Sequence, residues 1–173
     1  MFKLRYYQTI AHIVPLLLDT HFVQRLSTGF ISEVVSNYRE STLSQTHHAC
    51  GSLKAGDRLP NFEVSFWDAL REAPLYKLLD PSCFTLLLVG DRNTTAFAST
   101  RDEVVYPWQP MLKVKHITAA TSKEASFQFH DAFGSDRGLF LVRPDSYVGF
   151  VGDQNAVPAL TEWLSRWFPL AAN

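Results

Sequence analysis

Leu139-Phe140-Leu141-Val142-Arg143-Pro144-Asp145-Ser146-Tyr147-Val148-Gly149-Phe150-Val151 is the stretch that decides the fold. Two apolar runs flank four turn-favouring residues, so the stretch is an antiparallel β-hairpin. Residues 139–142 have the unbroken apolar character of a strand buried on both faces. Downstream, Asn155 is placed to cap a final helix whose Val157, Leu160, Leu164, Trp167 and Phe168 share one face, and Pro169 stops it. The C-terminal part therefore reads β-β-α.

Moving upstream, strand and helix signals alternate. Phe127 to Phe133 reads as a short helix ended by Gly134. Leu112 to Ile117 alternates apolar and polar residues as a strand does. Residues 93–107 are helix or loop, ended near Pro107. Phe84-Thr85-Leu86-Leu87-Leu88-Val89-Gly90 is a second doubly buried strand. Leu75 to Leu79 is a helical turn closed by Asp80-Pro81. Phe62 to Phe66 alternates, and Trp67-Asp68-Ala69 turns it into a hairpin. The order is β, α, β, α, β, α, β, β, α. Alternation implies parallel pairing first, and the tight turn at 143–146 implies antiparallel pairing last. The expected fold is α/β, a thioredoxin-like mixed sheet (βαβ then ββα) flanked by helices.

An N-terminal helical arm precedes it. Residues 2–14 place Phe2, Tyr6, Ile10 and Ile13 on one helix side, and Pro15 bends or restarts the helix. Phe22, Leu26, Phe30, Val34 and Tyr38 then recur every four residues as an apolar stripe. Gly29 weakens that helix a little. Nothing in the first 40 residues covers the whole stripe, so these five residues are the expected interface. Residues 39–61 are polar and irregular and read as a linker. The expected organisation is an arm and linker over 1–50 and a thioredoxin-like domain over 51–173.

Composition narrows the partners. The 173 residues carry a formal net charge of -1, with no Lys/Arg block, which argues against nucleic acid or an anionic membrane. Hydrophobic residues at 46% and aromatics at 13% imply a large core or a sizeable interface. Such a core needs no disulfide staple, so Cys50 and Cys83 point to a reducing cytoplasm. Lys3 and Arg5 precede an apolar stretch in the manner of a signal peptide. His12 and Pro15 interrupt it, Asp19 ends it, and no small-x-small cleavage site follows. An amphipathic helix is the reading, with secretion the alternative; the stretch is too short to span a bilayer.

Candidate chemistry is sparse. A thioredoxin-like redox protein carries its reactive cysteine pair just after the first long buried strand, where a helix N-terminus lowers the thiol pKa. Asp91-Arg92-Asn93-Thr94 stands there instead, and Cys83 lies at the other end of the strand. His47, His48 and Cys50 cluster in sequence but lack the four-ligand spacing of zinc, so no metal is expected. No Gly-x-Gly-x-x-Gly turn follows any strand, so the dinucleotide pyrophosphate cradle is missing. Asp131 and Asp136 read as solvated carboxylates. A small-ligand pocket near Trp108, Phe127 and Phe129 is an alternative that core packing explains equally well.

Gly51-Ser52-Leu53-Lys54-Ala55-Gly56-Asp57-Arg58-Leu59-Pro60-Asn61 resembles the G-x-L-x-A-G-D-R-A-P-D opening of the C-terminal domain of FAD-dependent aromatic-ring hydroxylases, the phenol and polyketide hydroxylase class of flavin monooxygenases. Phe84 to Gly90 resembles their F-x-L-L-x-x-G strand. Leu141-Val142-Arg143-Pro144-Asp145-Ser146-Tyr147-Val148 resembles their L-V-R-P-D-G-Y-V hairpin, and Tyr38-Arg39-Glu40-Ser41 is similar to a Y-R-x-S segment upstream. The chain departs from the pattern in having Gly149-Phe150-Val151-Gly152 where the family has a Trp-Arg pair. The resemblance implies a non-redox thioredoxin-like domain that serves packing or subunit association and is not catalytic alone. FAD, NAD(P)H and the aromatic substrate would be held by preceding domains. The implied partners are a flavin-binding domain or a second copy in a homodimer. A stand-alone thioredoxin-like enzyme, such as a peroxidase or thiol transferase, is the alternative.

Overall fold

The computed structural model describes residues 37–48, 51–66, 71–90, 104, 106–134 and 137–169. Seven strands form one sheet: β1 (Gln45–Thr46), β2 (Glu63–Phe66), β3 (Glu72–Pro74), β4 (Phe84–Val89), β5 (Leu112–Ala119), β6 (Gly138–Val142) and β7 (Val148–Asp153). Among the described residues two α-helices accompany them, α1 (Lys123–Phe133) and α2 (Val157–Trp167). The strand order is β1-β7-β6-β4-β5-β2-β3. β4 runs parallel to β5, and β6 is antiparallel to both β4 and β7. With α1 between β5 and β6, and α2 after β7, this four-stranded centre is the expected thioredoxin-like α/β plan. β2 and β3 extend it as the antiparallel hairpin expected near residues 67–69, which themselves lie outside the described residues.

The sheet is buried on both faces because its central strands are apolar throughout. Leu87 and Val89 of β4, with Phe140 and Val142 of β6, meet Phe129 and Phe133 of α1 on one face. Leu86, Leu88, Leu139 and Leu141 meet Leu160, Trp163 and Leu164 of α2 on the other. In β7 the alternation is offset. Leu141 pairs with Phe150 but Val142 pairs with Val148, so Gly149 is an extra residue in a β-bulge. Val148 consequently faces the α1 side and Phe150 the α2 side.

Both helices start differently from the expectation. α1 begins at Lys123 rather than Phe127, because the Ser122 side chain accepts the Ala125 N–H at 3.2 Å. The first inward residue of α1 is the small Ala125, which gives little periodic signal. Asn155 does not cap α2. The cap residue is Ala156, without a side-chain bond, and Pro158 in the first turn has no N–H for a cap to receive. Asp153 guides the chain instead, accepting the Asn155 N–H at 2.9 Å.

The segment read as a linker belongs in part to the sheet. Gln45 and Thr46 pair with Phe150 and Val151 of β7, and His47 N–H donates to Val151 O at 2.8 Å. Leu53, Ala55 and Leu59 are buried. A two-residue edge strand is held by backbone bonds, which leave no side-chain periodicity to read. The division between compact units falls between Ser36 and Asn37. Phe22, Leu26, Phe30 and Val34 of the expected interface stripe lie outside the described residues. Tyr38, its last member, is in irregular backbone rather than on a helix. Among the described residues no helix is long and apolar enough to cross a membrane.

Candidate functional site

The three segments 38–41, 51–61 and 141–148 meet at one corner of the sheet. Gly56 N–H donates to Val148 O at 2.7 Å, Val148 N–H donates to Asp57 O at 2.9 Å, and Leu59 N–H donates to Ser146 O at 2.9 Å. Arg58 forms a further bridge with Tyr147. The upstream segment joins through Tyr38 N–H, which donates to Gly56 O at 2.7 Å. Tyr38 is 48% exposed, yet its ring meets Tyr147 edge-on with centroids 4.9 Å apart. Arg39 grips Asp57 with two parallel bonds, Nε to Oδ1 at 2.6 Å and Nη2 to Oδ2 at 2.9 Å. Oδ2 also accepts the Lys54 N–H at 2.9 Å.

Two glycines are required here by close approach. Gly56 adopts φ +90°, and a Cβ on it would stand 2.3 Å from the Arg39 nitrogen. A Cβ on Gly51 would stand 2.3 Å from Ala132 O, near the end of α1. The Arg39 guanidinium is held above its ordinary pKa by its hydrogen bond to Asp57 and by that residue's charge. Both Asp57 oxygens are already engaged, so neither residue is poised as a general acid or base. The chemistry of this corner is attachment.

A thiol reaction has little support elsewhere. Cys83 precedes β4 and is 5% exposed. Burial pushes its thiol up in pKa, and the charge of Asp80 adds to the shift, the reverse of what a nucleophilic thiolate needs. Asp80 is held well below the usual carboxylate range by its bonds to Lys113 and Ser82. The expected redox position, Asp91–Thr94, lies outside the described residues.

The remaining candidates do not assemble. His47 and His48 are exposed, Cys50 lies outside the described residues, and no group of three metal-ligating side chains occurs among the described residues. Asp131 accepts the Ser52 hydroxyl at 3.2 Å, while Asp136 lies outside the described residues. Trp108 and Phe129 are buried on opposite faces of the sheet, and Phe127 is 74% exposed, so the pocket expected near them does not form. An aromatic cleft of about 450 Å³ exists instead where β4 begins and α2 ends. Phe84, Trp163, Trp167 and Phe168 are its walls, and the Arg143–Asp145 pair forms its lip.

Comparison with known proteins agrees with this geometry. The family model described as aromatic-ring hydroxylase, C-terminal, matches residues 52–171. Among solved structures, the OxyS anhydrotetracycline hydroxylase from Streptomyces rimosus is similar at 18% identity with a TM-score of 0.60, over 96% of this chain and 30% of that one. BexE, from structural and functional studies of oxidation in BE-7585A biosynthesis, is similar at 22% identity with a TM-score of 0.56, over 96% of this chain and 29% of that one. The chain thus spans less than a third of the length of either protein. A search of curated proteins finds no match. Two of the three segments that form the corner, Ser52–Asn61 and Leu141–Val148, fall within the matched region, while Tyr38 and Arg39 precede it, and the chain belongs to the aromatic-ring hydroxylase C-terminal family.

Proposed function

We propose that this chain serves an FAD-dependent aromatic-ring monooxygenase as a packing or subunit-association unit and catalyses no reaction alone. The observation that carries this reading is the corner itself. The most distinctive family-like segments converge on a hydrogen-bond network in which both Asp57 carboxylate oxygens are engaged, and they carry no cysteine. FAD, NAD(P)H and the aromatic substrate are left to other domains of the enzyme.

The two described α-helix N-termini support this reading, since neither offers a full set of free N–H groups to a flavin pyrophosphate. A pyrophosphate sits on free N–H groups at a helix N-terminus. At α1 the Ser122 hydroxyl already takes the Ala125 N–H, and at α2 Pro158 removes one donor. Titration of the chain with FAD, followed by flavin fluorescence, tests the reading. No saturable binding below micromolar concentration is expected, and sub-micromolar saturation contradicts it.

The partner is a flavin-binding domain or a second copy of the chain, in a reducing cytoplasm. Of these, the homodimer rests on the stripe Phe22, Leu26, Phe30 and Val34, since Tyr38 packs on Tyr147 instead. Burying large apolar side chains is worth about 1.5–3 kcal/mol each, so such a stripe seeks cover. Light scattering is expected to give a dimer for the wild type and a monomer for Phe30→Asp. A wild-type monomer whose stability is indifferent to Phe30→Asp contradicts the dimer.

A further inference from the structure

We propose that the cleft between the start of β4 and the end of α2 binds a planar aromatic carboxylate, with the rings of Phe84, Trp163, Trp167 and Phe168 around the aromatic body and Arg143 holding the anionic end. The inference goes beyond the association role above and does not depend on it. The cleft measures about 450 Å³, within the usual range for small-molecule sites. Its walls are aromatic, so a flat ring system can be covered on several sides.

The walls are built before any ligand arrives. Phe84 and Phe168 meet edge-on with centroids 5.0 Å apart, and Phe84 and Trp163 at 6.4 Å. Trp163 is 2% exposed, anchored against Gly149, whose missing side chain leaves the indole in contact with the bulge. The backbone of Phe168 is tied at two points. Its N–H donates to Leu164 O at 2.8 Å, and its carbonyl accepts the Trp108 indole N–H at 3.1 Å. Little ordering is left for binding to impose.

The polar part of the cleft is asymmetric. Arg143 contributes a guanidinium whose side chain is 20% exposed, paired with Asp145 at 2.5 Å. Asp145 is 49% exposed and sits on the turn, so a ligand carboxylate can take its place on the guanidinium at small desolvation cost. The buried indole N–H groups of Trp163 and Trp167 have no acceptor among the described residues.

Calorimetric titration with naphthalene-2-carboxylate and its neutral amide tests the proposal. The carboxylate is expected to bind about tenfold more tightly than the amide, and Arg143→Gln to abolish that difference. Asp145→Asn removes the competing carboxylate and keeps an acceptor for the Tyr147 N–H. It is expected to tighten carboxylate binding several-fold, a gain that partial unfolding would not produce. Equal affinity for the two probes, no tightening in Asp145→Asn, or no binding at millimolar probe overturns the proposal.

Discussion

The turn at 143–146 has two surroundings, and they differ in kind. On one side Ser146, Tyr147 and Val148 are closed into the corner by backbone bonds to Asp57 and Leu59 and by the Tyr38 ring. On the other, Arg143 and Asp145 stand at the lip of an aromatic cleft as an ion pair, with Asp145 also accepting the Tyr147 N–H. The corner is where three of the family-like segments meet and where their backbones are paired with one another. The cleft draws Phe84 and Arg143–Asp145 from such segments too, but Trp163, Trp167 and Phe168 come from the end of α2, outside them. A residue pattern shared with a family can thus mark architecture, while the opportunity for chemistry lies beside it.

Gly56→Ala probes the corner hardest. The substitution puts a Cβ at φ +90° and drives it against the Arg39 backbone, so a loss of about 3 kcal/mol in urea unfolding is expected. A loss below about 1 kcal/mol would mean that the corner is loosely made. Trp167→Ala on the cleft side is expected to cost about 1–2 kcal/mol, because the ring is half-buried and its N–H has no partner to lose. If the two substitutions cost the same, the contrast between a closed corner and an open cleft fails.

The smallest expected effect is on the acid limb of stability. Asp80 and Glu72 both have carboxyl pKa values lowered in the folded chain, Asp80 by Lys113 and Ser82, Glu72 by the Thr121 hydroxyl and N–H. A depressed folded pKa stabilises above the ordinary carboxylate value and is lost as pH falls through the folded one. The urea midpoint should therefore hold near neutrality and decline below about pH 4. Asp80→Asn should shallow that decline, and Glu72→Gln should shallow it less. An unchanged acid limb in Asp80→Asn would remove the pair with Lys113 from the account.

Much of the sheet was legible. β4 and β6 are apolar on both faces, and Pro144-Asp145 leaves little choice but a hairpin. The last helix was legible too, though Trp163, its most enclosed aromatic, is not on the expected face. β1 was not legible, since two polar residues bonded through their backbones carry no pattern. The corner was visible as three separate segments, but not as partners, because only folding brings Arg39 to Asp57. The cleft was invisible for the same reason: Phe84, Arg143 and Trp167 are far apart along the chain. Trp108, Phe127 and Phe129 suggested a pocket because aromatic content was readable while the face each ring points to was not.

The central claim is that this thioredoxin-like unit holds parts of an enzyme together and performs no thiol chemistry. An insulin-reduction assay on the purified chain with dithiothreitol as reductant addresses it most directly. The account predicts the same rate as the reductant alone, for the wild type and for Cys83→Ser, because Cys83 is enclosed and its thiol pKa is raised. Turnover above that background that disappears in Cys83→Ser would contradict it.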